Sequence, residues 1–296
     1  MSIKTLGQIK KGIEELKSQE QFEDSSLVDL EKLLRFELDF KRKMKKKIDI
    51  SSVYTKNIKE KLENGEHVAD FSNIKIDKKW IMDAFRNIYN IQRLCDSELE
   101  KAFENGDFDL LSLQKNLLIG DTFSFKSPSD KFGIDSGILY SIALGIFKPI
   151  FELCAEGTNG LFNDYKWKYG RCPFCGTYPR MAKFEKEVGK RKLWCPLCST
   201  EWVYRRAKCP FCENDNQQFL RFFSVEDNSP YRVDACDKCK GYIKTVDERK
   251  KNIYCTPKKG IKPYVEEITI FEIEDIKTFY LDNIAQNEGY KKLVKI

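Results

Sequence analysis

Apolar residues in the first half of the chain recur at the spacing typical of helices. One such stripe, which predicts an amphipathic helix, consists of Leu6, Ile9, Ile13 and Leu16. Further helices are predicted to begin near Asp24 and Asp77, whose side chains are of a type that caps helix N-termini. Two more are predicted over 109–118 and 138–147. The last is apolar on nearly all sides, as a central buried helix is, and we expect Pro149 to kink or end it.

The pattern changes near Gly157, after which apolar residues occur in short alternating runs. The runs at 202–204, 219–223 and 242–246 predict short strands between turns. Beyond a turn-like segment at 258–263 helical spacing returns, and this last helix is predicted to bury a stripe of Ile276, Tyr280 and Ile284. The order of elements predicts an α+β chain with a helical N-terminal half, a β-rich middle and a terminal helix.

Composition narrows the class of protein. The 296 residues are 41% hydrophobic and 33% charged, which is enough apolar material for a real core and argues against a wholly disordered chain. Neither a run of about 18 apolar residues nor a signal-peptide pattern is present. We therefore expect a cytoplasmic protein that does not insert into a membrane.

Cysteine spacing carries the strongest chemical signal. Eight of the eleven cysteines lie within 68 residues, in four CxxC pairs: Cys172 and Cys175, Cys195 and Cys198, Cys209 and Cys212, and Cys236 and Cys239. Two residues between cysteines let one tight turn aim both thiolates at one point, and two such turns make a tetrahedral all-sulfur metal site. Consecutive pairing leaves gaps of 19 and 23 residues, both suited to a hairpin. Pairing the second turn with the third is the alternative, and it leaves the outer pairs to span the whole window.

A metal that only holds together a small fold is the favoured interpretation of these cysteines, and two others fit the sequence less well. Structural disulfides conflict with the absence of a secretion signal. A redox dithiol is expected at a helix N-terminus in a βαβ unit, not in a β-rich region with four pairs. A closed four-cysteine site has no open position for substrate, so catalysis at the metal is not expected. The chain has one histidine, His67, and no enzyme motif, so we expect a protein that is not an enzyme.

The remaining cysteines and the histidine carry no site prediction. Cys95 and Cys154 are interpreted as small buried residues on helices, while Cys255 has no CxxC partner. His67 is predicted to be a loop residue.

Charge is concentrated around the first cysteine pairs. From Lys166 to Cys212 there are twelve Lys or Arg and three Glu, a local net charge of +9 against +6 for the whole chain. Metal-bound thiolates account for part of this charge, and nucleic acid or an acidic protein surface is the alternative. The aromatic residues Trp194, Trp202, Tyr204 and Phe211 would either stack on bases or, as we favour, cover the metal sites. A second basic block, 41–47, is interpreted as a solvated helix face.

Longer strings around the cysteines resemble one family. They begin with Trp167-Lys-Tyr-Gly-Arg-Cys-Pro-Phe-Cys-Gly-Thr-Tyr-Pro and Leu193-Trp-Cys-Pro-Leu-Cys-Ser-Thr-Glu-Trp. They continue through Arg206-Ala-Lys-Cys-Pro-Phe-Cys and Tyr231-Arg-Val-Asp-Ala-Cys-Asp-Lys-Cys-Lys-Gly-Tyr-Ile-Lys to Ile273-Glu-Asp-Ile-Lys-Thr-Phe-Tyr-Leu-Asp and Glu288-Gly-Tyr. In order and spacing this region, about 160–296, resembles the FdhE-type formate dehydrogenase accessory protein.

The resemblance implies an α-helical N-terminal domain over 1–165 and two rubredoxin-like, zinc-ribbon-like β modules over 166–205 and 206–296, the second carrying the C-terminal helix. It implies two metal ions, one held by Cys172, Cys175, Cys195 and Cys198 and the other by Cys209, Cys212, Cys236 and Cys239. Iron is the metal that the family implies, and zinc satisfies the same geometry. The implied function is maturation of formate dehydrogenase through binding of its catalytic subunit.

Two other functions remain open from the sequence. One is a zinc-ribbon protein that binds nucleic acid, although nucleic acid is not the expected partner. The other is a rubredoxin-like redox protein that serves the same client enzyme. The sequence also leaves a homodimer open.

Overall fold

A computed structural model describes residues 5–19, 21–54, 57–94, 97–107, 110–119, 123–158, 162, 167–254 and 270–293. The helices of the first half are α1 (Leu6–Lys17), α2 (Asp24–Met44), α3 (Ile58–Glu63), α4 (Lys78–Ile91), α5 (Ser97–Asn105), α6 (Leu110–Ile119), α7 (Lys126–Phe132) and α8 (Ser136–Glu156). The second half contains the strands β1 (Met181–Phe184), β2 (Arg191–Trp194), β3 (Glu201–Val203), β4 (Leu220–Phe223), β5 (Tyr231–Cys236) and β6 (Tyr242–Asp247), and the helices α9 (Glu248–Tyr254), α10 (Phe271–Lys277) and α11 (Phe279–Asn287). The α+β prediction is confirmed.

Helix α8 forms the centre of the helical half, where it packs against α2, α4 and α6. Its N-terminus is capped by Asp135, whose carboxylate accepts hydrogen bonds from the backbone N–H groups of Gly137 and Ile138. Of the two effects expected of Pro149, an end of the helix is wrong, because the helix continues to Glu156. Burial of almost every side chain in this stretch offsets the roughly 3 kcal/mol that an internal proline costs.

The same helix has the length and apolar character of a membrane span. Among the described residues it is the one helix that meets this test, and 78% of its most apolar window is buried inside the fold. That burial is what a central core helix shows.

The predicted helical stripes are mostly correct. In α1, Ile9, Ile13 and Leu16 are buried, whereas Leu6 is exposed. Asp77 caps α4 as expected, since its carboxylate accepts a hydrogen bond from the backbone N–H of Lys79 at 2.8 Å. Helices α3 and α7 lie in the stretches 48–76 and 120–133, where Asn, Gly, Ser and Pro predict loops or short irregular helices, and α5 and α9 were not predicted. Each has nine residues or fewer, which is too short for a clear helical period.

The six strands form a single sheet in the order β3-β2-β1-β6-β5-β4. The first three and the last three are each an antiparallel meander. The two meanders join where β1 runs parallel to β6, with Met181 opposite Lys244 and Phe184 opposite Asp247. Sequence periodicity did not predict this junction, because local patterning carries no information on which strands pair at long range.

The C-terminal region corrects the predicted single helix. Two helices, α10 and α11, meet at Thr278, and their fully buried apolar residues are Phe271, Ile273, Leu281 and Ala285. The predicted stripe of Ile276, Tyr280 and Ile284 is only half-buried. The two helices bury different faces because they pack on different partners. Helix α10 packs on α1, where the side chain of Ile273 lies against Gly12, whereas α11 packs on β5 and β6.

Packing crosses the predicted domain limits. One apolar cluster includes both α8 residues, such as Phe151, and sheet residues, such as Leu193 and Trp202. The division into 1–165, 166–205 and 206–296 remains a prediction.

Candidate metal centres

Four cysteine sulfurs converge where the first meander meets the helical half. They belong to Cys172 and Cys175 before β1 and to Cys195 and Cys198 between β2 and β3, and all lie within 4.8 Å of one another. The Sγ–Sγ distances are 3.6 Å between Cys172 and Cys198 and 3.4 Å between Cys175 and Cys195. We name this cluster the inner site.

A second set of four sulfurs meets in the other meander. Cys209 and Cys212 precede β4, Cys236 ends β5 and Cys239 lies between β5 and β6, and their Sγ atoms also lie within 4.8 Å of one another. Cys209 and Cys239 are 3.7 Å apart, as are Cys212 and Cys236. We name this cluster the outer site. In both sites the structure brings the cysteines together in the consecutive pairing.

All four CxxC turns share one backbone conformation. In each, the residue after the second cysteine donates its backbone N–H to the carbonyl of the first, at 2.8–3.1 Å. That residue has a positive φ, and the four such residues are Gly176, Ser199, Glu213 and Lys240. Left-handed backbone costs a non-glycine residue about 1–2 kcal/mol, so three of the turns are held in a conformation that their own sequence does not favour.

The donor set fits a divalent metal with four sulfur ligands. A tetrahedron with metal–sulfur bonds of about 2.3 Å has edges of about 3.8 Å, close to the separations above. The sulfurs are also much farther apart than the roughly 2.05 Å of a disulfide. When bound, the metal would cross-link two turns of each meander and fill all its coordination positions with protein sulfur.

Burial and hydrogen bonding set the acidity of the thiols of the inner site. Burial raises the pKa of the Cys195 and Cys198 thiols well above the ordinary value. For Cys175, burial also acts upward, but hydrogen bonds from the other three thiols prevail and lower its pKa well below that value. Four thiols packed this closely cannot all ionise unless a cation offsets their mutual repulsion.

In the outer site, burial raises the pKa of Cys239 to about 11, whereas the pKa of the solvent-accessible Cys212 is lowered by hydrogen bonds that outweigh its partial burial. Cys209 and Cys236 are buried, and Cys239 is half-buried. The outer site is therefore open to solvent on one side.

The inner site is attached to the helical half through its first turn. The backbone N–H groups of Val68 and Ala69 donate to the carbonyls of Pro173 and Phe174, at 3.1 and 2.9 Å. The Phe174 ring is fully buried and lies edge-on to Phe71, with the ring centroids 5.8 Å apart. The helical half thus supplies a wall of the inner site.

Two groups beside the inner site were missed from the sequence. A Cβ atom on Gly176 would lie 2.8 Å from Nδ1 of His67, so this loop histidine packs directly against the first turn. On the other turn, the Ser199 hydroxyl donates to the Glu152 carboxylate of α8 at 2.6 Å. His67 and Glu152 lie in no sequence motif, and only the fold brings them to the site.

Glu152 belongs to a buried ionic network. Lys148, which is 4% exposed, forms ion pairs with Glu37, Glu152 and Glu272, the last at 3.0 Å. Burial alone lowers the pKa of Lys148, but the three carboxylates outweigh it and hold the pKa well above the usual lysine value. This network joins α2, α8 and α10 beneath the inner site.

The aromatic residues and the basic blocks take largely structural roles. Trp194, Trp202 and Tyr204 are buried and Phe211 is half-buried, and the Trp194 ring stacks on Phe271 of α10. Many cations of the basic stretch pair with acids, for example Lys183 with Glu201 and Lys192 with Glu185. In the block 41–47 most side chains are exposed, but Lys41 is buried against acids of α8.

Of the three cysteines that do not belong to CxxC pairs, one lies among the described residues, apart from both clusters. Cys154 is buried in α8, as expected, and burial raises the pKa of its thiol to about 12. Cys95 and Cys255 fall outside the described residues.

Comparison with known proteins adds independent information. No family model matches the chain. The chain is 28% identical over 187 residues to an FdhE homolog of Aquifex aeolicus, an alignment that covers 62% of this chain and 59% of that protein. It is 31% identical over 124 residues to protein FdhE of Escherichia coli, over 41% of this chain and 35% of that protein. The chain thus aligns with less than two thirds of the length of these curated relatives.

The fold gives a match of wider coverage. The crystal structure of the FdhE protein from Pseudomonas aeruginosa superposes with a TM-score of 0.66 at 15% sequence identity, and the match covers 99% of this chain and 95% of that one. At this identity the match concerns the fold alone. In sequence and in fold, the chain is therefore similar to FdhE-type proteins.

Proposed function

We propose that this protein is a non-enzymatic accessory factor that binds the catalytic subunit of formate dehydrogenase in the cytoplasm and supports its maturation. Two metal ions, each held by four cysteines, would stabilise the scaffold that presents the binding surface. The observation that carries the proposal is the pair of closed four-sulfur clusters in an FdhE-type fold. Such clusters leave no coordination position for a substrate, and their effect is to hold a surface in place.

The client surface is best sought on the outer meander. Strand β4 lies at one end of the sheet, so one of its edges is not paired within the sheet. Phe222, on this strand, is 68% exposed, and Phe219 just before it is 42% exposed. Exposed aromatic rings at a free strand edge are typical of surfaces that bind another protein.

A redox function is the second candidate, and the exposure of the outer site favours it. Iron at a site with a solvent-accessible sulfur could exchange electrons with a docked protein, whereas zinc has no accessible redox change. Metal analysis of protein purified without added metal separates the two candidates, because zinc at both sites argues against electron transfer. Binding to nucleic acid has less support, since the aromatic residues of the basic stretch are buried.

The direct test is co-purification with the catalytic subunit from cells that produce formate dehydrogenase. We expect the parent chain to retain the subunit, and Phe222→Ser to lose it without loss of fold, because this side chain is exposed. Val188→Ser is the matched control, since Val188 is 64% exposed in the turn between β1 and β2. No association of the parent chain with the subunit would contradict the proposal.

A further inference from the structure

A cavity of about 370 Å³ opens beside the outer site. Cys209 and Cys236 line it on one side, and β4, β5 and the start of β2 supply much of the rest. Its volume is in the range of pockets for small ligands, about 300–1,000 Å³. The metal sites do not require an open space here, and Phe222 of the proposed client surface lies at its wall.

The lining of this cavity is strongly cationic. Three arginines, Arg191, Arg206 and Arg232, line it together with a single carboxylate, Asp234. Two other lining cations, Lys208 and Arg221, are paired with acids outside the cavity, Glu213 and Asp237. The three arginines therefore share one acid among them.

Arg191 is the buried member of this group. Its side chain is 2% exposed, and Nη1 donates to three backbone carbonyls, the nearest that of Lys208 at 3.0 Å. Nε and Nη2 have no hydrogen-bond partner within the described part of the chain, and Nη2 lies 3.7 Å from the Asp234 carboxylate. Burial of a guanidinium with unpaired N–H donors costs free energy unless a hydrogen-bond acceptor binds those donors.

Arg232 is held in position by two aromatic rings and by Asp234. Its guanidinium lies 4.6 Å from the centroid of the Phe184 ring and 4.9 Å from that of Phe222. Nη2 pairs with Asp234 at 2.8 Å, and Nε has no partner among the described residues. Stacking between two rings fixes the plane of the fork, which suits recognition of a planar or tetrahedral oxyanion.

Charge compensation of the outer site is the other role these arginines could have. A divalent metal with four thiolates carries a net charge of about −2, which nearby cations stabilise. The hydrogen bonds of Arg191, Arg206 and Arg232 go to carbonyl groups and Asp234, and none of these three side chains donates to a cysteine sulfur in the described structure. Their unused donors are available to an acceptor other than the metal site.

We infer that this cavity binds an oxyanion, either free or as the phosphate or carboxylate group of a small organic ligand. Arg191 and Arg232 would supply the charged donors. The inference does not depend on the proposed client, because the purified chain alone would bind the anion.

The test is calorimetric titration of the metal-loaded full chain at constant ionic strength. Inorganic phosphate and AMP are the probes, and adenosine is the neutral control. We expect phosphate, AMP or both to bind and adenosine not to bind. AMP binding tighter than phosphate indicates an organic ligand, and equal affinity indicates a free oxyanion.

Variants locate the binding. Arg232→Gln should weaken binding roughly tenfold or more, because it removes a charged donor, and Arg191→Lys should weaken it through loss of the fork. Arg205→Gln is the matched control, since Arg205 is exposed, pairs with Asp215 and does not line the cavity. Metal content and thermal stability of each variant are measured alongside. The inference is overturned if the parent chain binds neither probe, or if Arg205→Gln and Arg232→Gln weaken binding equally. It is also overturned if Arg232→Gln loses metal while its affinity for phosphate is unchanged.

Discussion

The inner and outer sites have the same set of four cysteines but different surroundings. Each has four cysteines from two CxxC turns, and the same hydrogen bond closes each turn. In each, the first turn precedes a β-hairpin and the second connects that hairpin to a third strand. The inner site is fully buried and joined to the helical half by backbone hydrogen bonds, whereas the outer site has a solvent-accessible cysteine. A shared motif therefore specifies the ligand set, and the rest of the fold decides how far each site is coupled to the protein.

The largest expected difference is between cysteine substitutions at the two sites. Cys195→Ser should unfold the first meander and disturb the helical half, because binding worth about 10–16 kcal/mol for structural zinc is coupled to a shared core. Cys212→Ser should lose one metal ion of two and keep the helical half folded. Metal analysis and thermal denaturation followed by circular dichroism measure both effects.

Cys154→Ala serves as the control, since this buried cysteine lies outside both sites and the variant should keep both metals. Alkylation without denaturant, followed by mass spectrometry, checks the same contrast in the unmodified chain and should label Cys212 first. Equal loss of helical signal in Cys195→Ser and Cys212→Ser would show that the two sites are coupled alike.

A smaller effect is expected from the ionic network beneath the inner site. Lys148→Met removes a buried cation that three carboxylates share, while Glu152 keeps its ion pair with Lys41, and should cost about 3–5 kcal/mol of unfolding free energy, as measured by denaturant titration. Because the folded-state pKa of Lys148 is raised, its contribution is complete below the ordinary value of 10.5 and is lost only as the pH rises through the folded-state pKa.

The destabilisation by Lys148→Met should therefore be full at neutral pH and decrease only in strong alkali. Lys43→Met, on the exposed face of α2, is the control and should change stability by less than about 0.5 kcal/mol. If both variants have the same stability, the network does not support the inner site.

The smallest expected effect compares the same turn position in the two sites. Gly176→Ala should destabilise by about 1–3 kcal/mol, because φ is +78° and the new Cβ would lie 2.8 Å from His67. Lys240→Gly, at φ +58° in the outer site, should change stability by less than about 1 kcal/mol. Relief of the left-handed backbone there opposes the loss of a surface pair with Asp237.

Thermal denaturation at fixed metal content measures both changes. If Lys240→Gly lowers the stability more than Gly176→Ala does, the turn of the outer site is the more tightly packed one, contrary to expectation.

Much of the local structure was predictable from the sequence. The stripe of Ile9, Ile13 and Leu16, the cap at Asp77 and the apolar helix that became α8 all follow from periodicity over two or more turns. The continuation of α8 through Pro149 was not predictable. It depends on packing against helices distant in sequence, which local propensity does not contain.

The sites divide in the same way. The CxxC spacing predicts that the two sulfurs of each turn lie together, because two intervening residues bring both thiolates to one side of a tight turn, and the structure decides which turns meet. Neither the contact of His67 with the first turn nor the bond from Ser199 to Glu152 has a sequence signal. These contacts join residues more than forty positions apart, and only the packed chain brings them together.

The sequence by itself predicted the fold class and the four CxxC turns, since these depend on local spacing, and it favoured the consecutive pairing that the structure shows. The tertiary structure alone decided that β1 and β6 join two meanders into one sheet, that one site is buried and the other open, and that arginines from separate strands line a common cavity. The physical reason is that strand pairing, burial and charge clustering depend on long-range packing, which the periodicity of a single segment does not encode.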